Sequence, residues 1–158
     1  MGALDIRVVG ATGTGSTALS AFDAALNAAG VSNFNLVRLS SVIPPGSVVA
    51  DGEHGHVEGG WGERLFAVWA FQSAELLGQE AWAGVCWVQD PSDGRGLFVE
   101  HEGASEAQVR SELTASMDDL CESRGLGPLE QHSVVVGQRC EGPPVGALVI
   151  APYQVEPW

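Results

Sequence analysis

Lysine is absent from the sequence, and arginine supplies all seven basic residues of the 158-residue chain. Enzymes that use pyridoxal phosphate anchor this cofactor on a lysine, and Schiff-base enzymes of the aldolase type use a lysine amine. Both classes are therefore excluded. The cysteines Cys86, Cys121 and Cys140 are odd in number and show no C-x-x-C spacing, which predicts buried reduced thiols.

Positive charge is also scarce, since 20 acidic residues against seven basic ones give a formal net charge of −13. Such a charge repels phosphate backbones and anionic lipids, so we expect neither nucleic acid nor a membrane as a partner. It favours a cationic small molecule, although it can equally serve solubility. The longest strongly apolar stretch, residues 65–71, is far shorter than the roughly 20 residues of a membrane span, and the first ten residues do not resemble a signal peptide. We therefore expect a soluble, cytoplasmic protein.

The length and the hydrophobic pattern predict a single domain over residues 1–158. One helix is expected from Ser16 or Thr17 to about Ala29, and a second from Ser105 to near Gly125. Two prolines at 44 and 45 predict that regular pairing stops and that a loop runs to residue 62. Strand patterns occur at residues 6–9, 34–40, 65–71, 82–88, 96–101, 133–136 and 147–151. Many strands with two helices predict an α+β sandwich.

A glycine-rich segment, residues 10–16, follows the first predicted strand, and we expect a loop there, where a helix N-terminus can bind anions. Its glycines Gly10, Gly13 and Gly15 do not follow the dinucleotide order G-x-G-x-x-G, and the lysine of a P-loop is missing. A tight turn into a capped helix is the favoured interpretation. A nucleotide-binding module that uses this loop with Arg38 remains an alternative.

Two histidines, His54 and His56, lie in the acidic, glycine-rich segment D-G-E-H-G-H-V-E-G-G. Their spacing matches no helical or zinc-finger pattern of metal ligands, and such segments are usually solvated turns. We therefore expect no metal site.

Ser40 and Ser41 stand at the end of the second predicted strand, directly before the sequence V-I-P-P-G. A hydroxyl beside a strained peptide bond can attack the preceding carbonyl and convert the amide into an ester, which then eliminates. Here the Ser41 Oγ would attack the Ser40 carbonyl and leave dehydroalanine, which loses ammonia and becomes a ketone, the pyruvoyl group. Such a ketone forms an imine with an amino acid and withdraws electrons from the Cα–carboxylate bond, as lysine-bound pyridoxal does. On spacing alone, the pair also fits an ordinary turn at a strand end.

Four segments of the chain resemble the pyruvoyl-dependent arginine decarboxylases. They are L-S-A-F-D-A-A-L at 19–26, A-G-V at 29–31, N-F-N-L-V-R-L-S-S-V-I-P-P at 33–45, and G-L-F-V-E-H-E-G at 96–103 followed by a helix. The resemblance implies a four-layer αββα sandwich that cleaves itself at the Ser-Ser bond. It also implies a homotrimer of cleaved protomers, or a multiple of it, with sites at subunit interfaces.

The same resemblance assigns roles to individual residues. Ser41 would become the covalent pyruvoyl group, the pyruvate-derived cofactor, so that cleavage gives a β chain of residues 1–40 ending at Ser40 and an α chain of residues 41–158. Glu100 matches the acid that protonates the α-carbon after carbon dioxide leaves, and Glu102 lies on the same strand face. Asn35 matches a residue that supports self-cleavage, and Asp23 matches the carboxylate that receives the guanidinium group of the substrate.

The expected reaction is therefore the decarboxylation of L-arginine to agmatine and carbon dioxide. Three alternatives stay open at this point. They are a pyruvoyl decarboxylase of another amino acid, an uncleaved homologue without catalytic activity, and the nucleotide-binding module described above.

Overall fold

A computed structural model describes residues 3–53 and 57–158 of the chain. Nine strands and two helices are found in these residues. In chain order they are β1 (Asp5–Thr14), α1 (Ala18–Ala28), β2 (Asn35–Arg38), β3 (Val42–Ile43), β4 (Val48–Asp51), β5 (Arg64–Ala74), β6 (Glu80–Gln89), β7 (Gly96–Gly103), α2 (Glu106–Ser123), β8 (His132–Arg139) and β9 (Val145–Glu156). No helix in the described part of the chain is long and apolar enough to span a membrane.

The strands form two sheets that pack face to face between the two helices. One sheet has the order β2-β5-β9-β1-β4, and the other has the order β3-β7-β6-β8. Three apolar clusters separate the layers. The first lies between α1 and the five-stranded sheet, the second between the sheets, and the third between the four-stranded sheet and α2. The predicted αββα sandwich is therefore confirmed in its architecture.

Both helices begin at the residues that the sequence indicates. The side chain of Thr17 accepts a hydrogen bond from the Ser20 backbone and completes a reciprocal capping box at the start of α1. The side chain of Ser105 accepts from the Gln108 backbone at the start of α2. Buried residues at helical spacing then fix the face that α2 turns to its sheet, namely Val109, Leu113, Met117 and Cys121.

The prediction of a glycine loop at residues 10–16 was wrong over most of its length. Strand β1 continues through Thr14, and its second half pairs antiparallel with β9, from Val9 opposite Ile150 to Thr14 opposite Val145. A Cβ on Gly13 would lie 2.5 Å from the backbone nitrogen of Ala25 in α1. This glycine lets the helix pack closely on the strand. No anion-binding loop is formed there, and the nucleotide-binding interpretation loses its motif.

The prediction of a continuous loop from the prolines to residue 62 was also wrong. Val42 and Ile43 pair with β7 before the prolines, and Val48–Asp51 pairs in parallel with the first half of β1 after them. Proline removes one donor and fixes one dihedral angle, so it ends β3 but does not prevent the chain from pairing again three residues later. Because β2 belongs to the five-stranded sheet and β3 to the four-stranded sheet, the chain crosses between the sheets at residues 39–41.

Candidate active site

Ser41 lies on the crossover between the two sheets, in a backbone conformation that serine rarely adopts. Its φ is 71°, and among the described residues it is the only one other than glycine with a positive φ. This left-handed conformation costs a non-glycine residue roughly 1–2 kcal/mol, and the surrounding contacts must hold it in place. Its carbonyl oxygen accepts a hydrogen bond of 2.9 Å from the Phe98 N–H on β7. Strain is thus present in the backbone of Ser41, directly after the Ser40–Ser41 bond.

The hydroxyl of Ser41 contacts the carboxylate of Glu100, which stands on β7. Its Oγ donates to this carboxylate, lying 2.7 Å from Oε1 and 2.8 Å from Oε2. Both side chains are half-buried. Glu102 lies two residues further along β7. Strand alternation places both carboxylates on one face, but Glu102 is exposed whereas Glu100 is half-buried and hydrogen-bonded to Ser41.

Burial raises the pKa of Glu100 above its ordinary value of 4.5. The hydrogen bond from Ser41 opposes this rise, as do the positive charge of Arg38 and the nearby His101, while the charge of Glu102 adds to it. Desolvation has the largest effect, so the net direction is upward. A carboxyl group with a raised pKa holds a proton closer to neutral pH, as a general acid must.

Arg38, at the end of β2, is fixed in direction by Trp69 on the neighbouring strand. Its guanidinium group lies 4.2 Å from the centre of the Trp69 ring and donates to the Trp69 carbonyl at 2.9 Å. Cation–π contact and hydrogen bond together hold the positive charge close enough to lower the pKa of Glu100. The sequence does not indicate this contact, because residues 38 and 69 are brought together only by the parallel pairing of β2 with β5.

Tyr153, on β9, holds the backbone directly after Ser41. Its hydroxyl donates to the Val42 carbonyl at 2.8 Å, and its ring lies 6.0 Å from that of Phe98. Burial, helped by the charge of Glu100, raises the pKa of Tyr153, so the phenol keeps its proton and remains a donor. Sequence reasoning missed this residue because 111 positions separate it from Val42.

A cavity of about 510 Å³ opens beside the Ser40–Ser41 bond. Ser40, Ser41 and Glu100 line one side of it. The C-terminal half of α2 lines the other side through Ser116, Asp119, Leu120 and Arg124, none of which the sequence singled out. A larger cavity of about 820 Å³ lies between β1 and β9, and its lining includes none of the predicted site residues. The contact between Ser41 and Glu100 identifies the smaller cavity as the candidate active site.

Asp23 and Asn35 are not brought to this cavity within one chain. Asp23 is exposed on α1, which packs on the outer face of the five-stranded sheet. Asn35 begins β2, and its side-chain amide donates to the Gly62 carbonyl at 2.7 Å. At about 3.3 Å per residue, five extended residues place Ser40 on the order of 16 Å away. A role of either residue at Ser41 would therefore have to involve a second copy of the chain.

No group of three potential ligands that could hold a metal ion occurs in residues 3–53 and 57–158. His54 and His56 lie outside the described residues, so the structure does not test their expected placement in a solvated turn. The three cysteines are free and buried, as expected of reduced thiols.

Comparison with known proteins gives the site a family context. A family model described as pyruvoyl-dependent arginine decarboxylase matches residues 5–141. A pyruvoyl-dependent arginine decarboxylase of Halobacterium salinarum is 35% identical over 156 residues, which cover 94% of this chain and 92% of that protein. A Picrophilus torridus protein of the same description is 31% identical over 120 residues, with 72% and 65% covered. Pyruvoyl-dependent arginine decarboxylase 2 of Archaeoglobus fulgidus is 34% identical over 101 residues, with 63% and 64% covered. The chain therefore belongs to the pyruvoyl-dependent arginine decarboxylase family.

Proposed function

We propose that this chain cleaves itself between Ser40 and Ser41 and then decarboxylates L-arginine to agmatine and carbon dioxide. One observation carries the proposal, namely the donation of the Ser41 hydroxyl to both oxygens of the Glu100 carboxylate at a strained backbone position. Family membership supports the reaction and its pyruvoyl cofactor. The products would be a β chain of residues 1–40 and an α chain of residues 41–158.

In the cleavage, Glu100 acts as the base. The Ser41 Oγ attacks the Ser40 carbonyl carbon and the hydroxyl proton passes to Glu100. Glu100 then returns this proton to the amide nitrogen, so that the C–N bond breaks and an ester to a free amine remains. Loss of the Cα proton then breaks the ester and leaves Ser40 as a carboxylate, and water replaces the nitrogen of residue 41, which departs as ammonia. The hydrogen bonds from Phe98 to the Ser41 carbonyl and from Tyr153 to the Val42 carbonyl hold the new terminus in place.

The residues around Ser41 fit a carbonyl group at that position. A pyruvoyl group at residue 41 would supply an electrophilic carbonyl that can take up the substrate amine and draw electrons from the bond between the α-carbon and the carboxylate. Glu100, freed from the Ser41 hydroxyl after cleavage, holds a proton beside the α-carbon because burial raises its pKa. The cavity beside Ser41, of about 510 Å³, has a volume in the range of small-molecule binding sites.

The substrate side chain would be bound across a subunit interface. Asp23 is exposed and distant from Ser41 in one chain, and its carboxylate suits a guanidinium group through a forked pair of hydrogen bonds. Asn35 would likewise support cleavage in a neighbouring copy, because within one chain it lies on the order of 16 Å from Ser40. A homotrimer of cleaved protomers, or a multiple of it, would supply these residues. The net charge of −13 suits a cationic amino acid in the cytoplasm and disfavours nucleic acid or membranes as partners.

The proposal is tested by denaturing mass spectrometry of the purified chain and by borohydride reduction in the presence of labelled arginine. We expect two fragments that meet at the 40/41 bond, with the label on the larger one. The Ser41→Ala chain is the control and should remain intact and unlabelled. An intact unchanged chain would contradict the proposal, and carbon dioxide release from another amino acid in preference to arginine would correct the substrate.

A further inference from the structure

A second polar cluster borders the same cavity from the side of α2. Ser116, in the middle of α2, lines the cavity, and its Oγ lies 2.7 Å from Nε2 of His101 on β7. The other ring nitrogen of His101, Nδ1, lies 3.3 Å from a carboxylate oxygen of Glu112. Gln108 donates to the second oxygen of Glu112 at 3.1 Å and fixes the carboxylate. The order serine, imidazole, carboxylate is one that polarises a hydroxyl group.

The positions of the three groups determine where the protons lie. A carboxylate beside Nδ1 favours a proton on that nitrogen, and the neutral imidazole then presents Nε2 as an acceptor. The Ser116 hydroxyl donates its proton to Nε2, so the lone pairs of Oγ are left for the cavity. A hydroxyl arranged in this way can accept a proton from a ligand and pass its own proton to the ring.

Most of the charged groups around His101 are carboxylates. Glu100 and Glu102 flank it along β7, and on α2 Glu112 is the carboxylate that touches it. On the opposite strand, β6, the partner of His101 is Gly84, over which the helix packs closely. The other charged residues of the cavity wall are Asp119 and Arg124 on α2.

We infer that Ser116, with His101 and Glu112 behind it, takes the proton from the α-ammonium group of the amino-acid substrate. The inference rests on the proposed function, because a carbonyl group at residue 41 is attacked only by a neutral amine. Ser116 is the residue that contacts the substrate, and His101 and Glu112 are positioning residues that act through it. Apart from the effect of His101 on the pKa of Glu100, the site at Ser41 and Glu100 gives these residues no role.

The step balances without any further reactant. One proton leaves the substrate ammonium and binds Ser116 Oγ, while the Ser116 hydroxyl proton moves to His101 Nε2. The substrate becomes a neutral amine with a free electron pair, and the imidazole becomes an imidazolium paired with the Glu112 carboxylate. The proton returns along the same path when the product leaves.

Covalent trapping of agmatine by borohydride tests the relay without decarboxylation. Its primary alkyl amine, like that of lysine, loses a proton near pH 10.4, so few molecules are neutral at pH 7 and many are at pH 10. Relative to the unchanged chain at the same pH, we expect Ser116→Ala to slow adduct formation about 10²-fold at pH 7, as loss of a general base does. At pH 10 the two chains should react alike. Mass spectrometry of the 41–158 fragment measures the fraction of chains that carry the adduct.

Matched variants separate the relay from a structural effect. Ser116→Thr keeps a hydroxyl group and should restore trapping at pH 7, and Ser111→Ala on the exposed face of the same helix should change nothing. An equal loss at both pH values, or no loss at pH 7, overturns the relay and leaves the proposed function standing. If the unchanged chain forms no adduct at either pH, the proposed function and the relay both fail.

A second measurement needs no pyruvoyl group. In the uncleaved Ser41→Ala chain, nitrogen NMR spectra should show the neutral His101 ring with its proton on Nδ1 and none on Nε2. Glu112→Gln should weaken this preference. A proton on Nε2 in the Ser41→Ala chain would overturn the relay, because the ring could not then accept from Ser116.

Discussion

The hydroxyl of Ser41 and the carboxylate of Glu100 lie 2.7–2.8 Å apart although 59 residues separate them in sequence. Strand β3 pairs with β7 only at Leu97 and Gly96, so the edge of β7 beyond Phe98 is left open for this contact. In the proposed function, this pair brings together the bond to be cleaved and the acid of the later decarboxylation.

Ser41→Ala should abolish cleavage, because the attacking oxygen is lost. Ser40 supplies only its carbonyl group, and its side chain is exposed, so Ser40→Ala is the matched control and should cleave. Denaturing electrophoresis or mass spectrometry distinguishes one chain from two. Cleavage of Ser41→Ala at the same bond would show that a different nucleophile acts.

Glu100→Gln should reduce decarboxylation by about 10²-fold or more, since the amide cannot supply the proton to the α-carbon. Cleavage should slow, because the amide cannot take up the Ser41 proton, but should still reach completion, since the amide oxygen still orients the hydroxyl as a hydrogen-bond acceptor and water can take the proton. Glu102→Gln removes an exposed carboxylate on the same strand and should leave both rates nearly unchanged. The measurements are carbon dioxide release and the time course of cleavage. Full activity of Glu100→Gln would place the acid elsewhere.

Cleavage of freshly refolded chain should become faster as the pH rises. The Glu100 carboxyl accepts the Ser41 proton only when ionised, and burial raises its pKa, so the midpoint of the rate profile should lie above 4.5. In Glu100→Gln this step of the profile should disappear. A midpoint at or below 4.5 would argue that Glu100 is solvated before cleavage.

Tyr153→Phe should weaken the fold around residue 42. The Val42 carbonyl would lose its donor, and because Val42 is exposed and water can replace the phenol, the loss should be about 0.5–1.5 kcal/mol. Urea unfolding is best measured in the Ser41→Ala background, in which the chain stays intact. Cleavage in the otherwise unchanged chain should also slow, and an unaltered rate with unaltered stability would remove Tyr153 from the site.

Asp23→Asn should raise the KM for arginine and leave self-cleavage intact, because Asp23 is far from Ser41 within one chain. If the site is shared between subunits, mixed assemblies of Asp23→Asn and Glu100→Gln chains contain some interfaces with both original residues. Co-refolding the two variants should then restore part of the activity that each lacks. Absence of any restoration in confirmed mixed oligomers would place the whole site in one subunit.

The sequence predicted the parts of the fold that depend on local pattern. The caps at Thr17 and Ser105 and the stripe of Val109, Leu113 and Met117 follow from hydrogen bonding and from the period of a helix, which neighbours in sequence determine. Segment 10–16 was misassigned because its glycines are typical of loops. In the fold they are needed for close packing, as the contact of Gly13 with α1 demonstrates.

The candidate site could be predicted only in part. Ser41 and Glu100 were found from the Ser-Ser pair and the resemblance of residues 96–103, and the structure brings them together. The contact of Tyr153 with Val42 and the cluster of Ser116 with His101 depend on the pairing of distant strands and on the placement of α2. Neither contact produces a periodic pattern in the sequence.

The crossover at residues 39–41 also determines how the two fragments of the proposed cleavage would stay together. Residues 1–40 contribute β1, α1 and β2, and β1 is enclosed by β4 and β9, which both belong to the larger fragment. The proposed scission would therefore free a reactive end without releasing either fragment. In the proposed chemistry the ketone forms only when the intact 40/41 bond is broken, so two polypeptides synthesised separately with these ends would lack it even if they assembled.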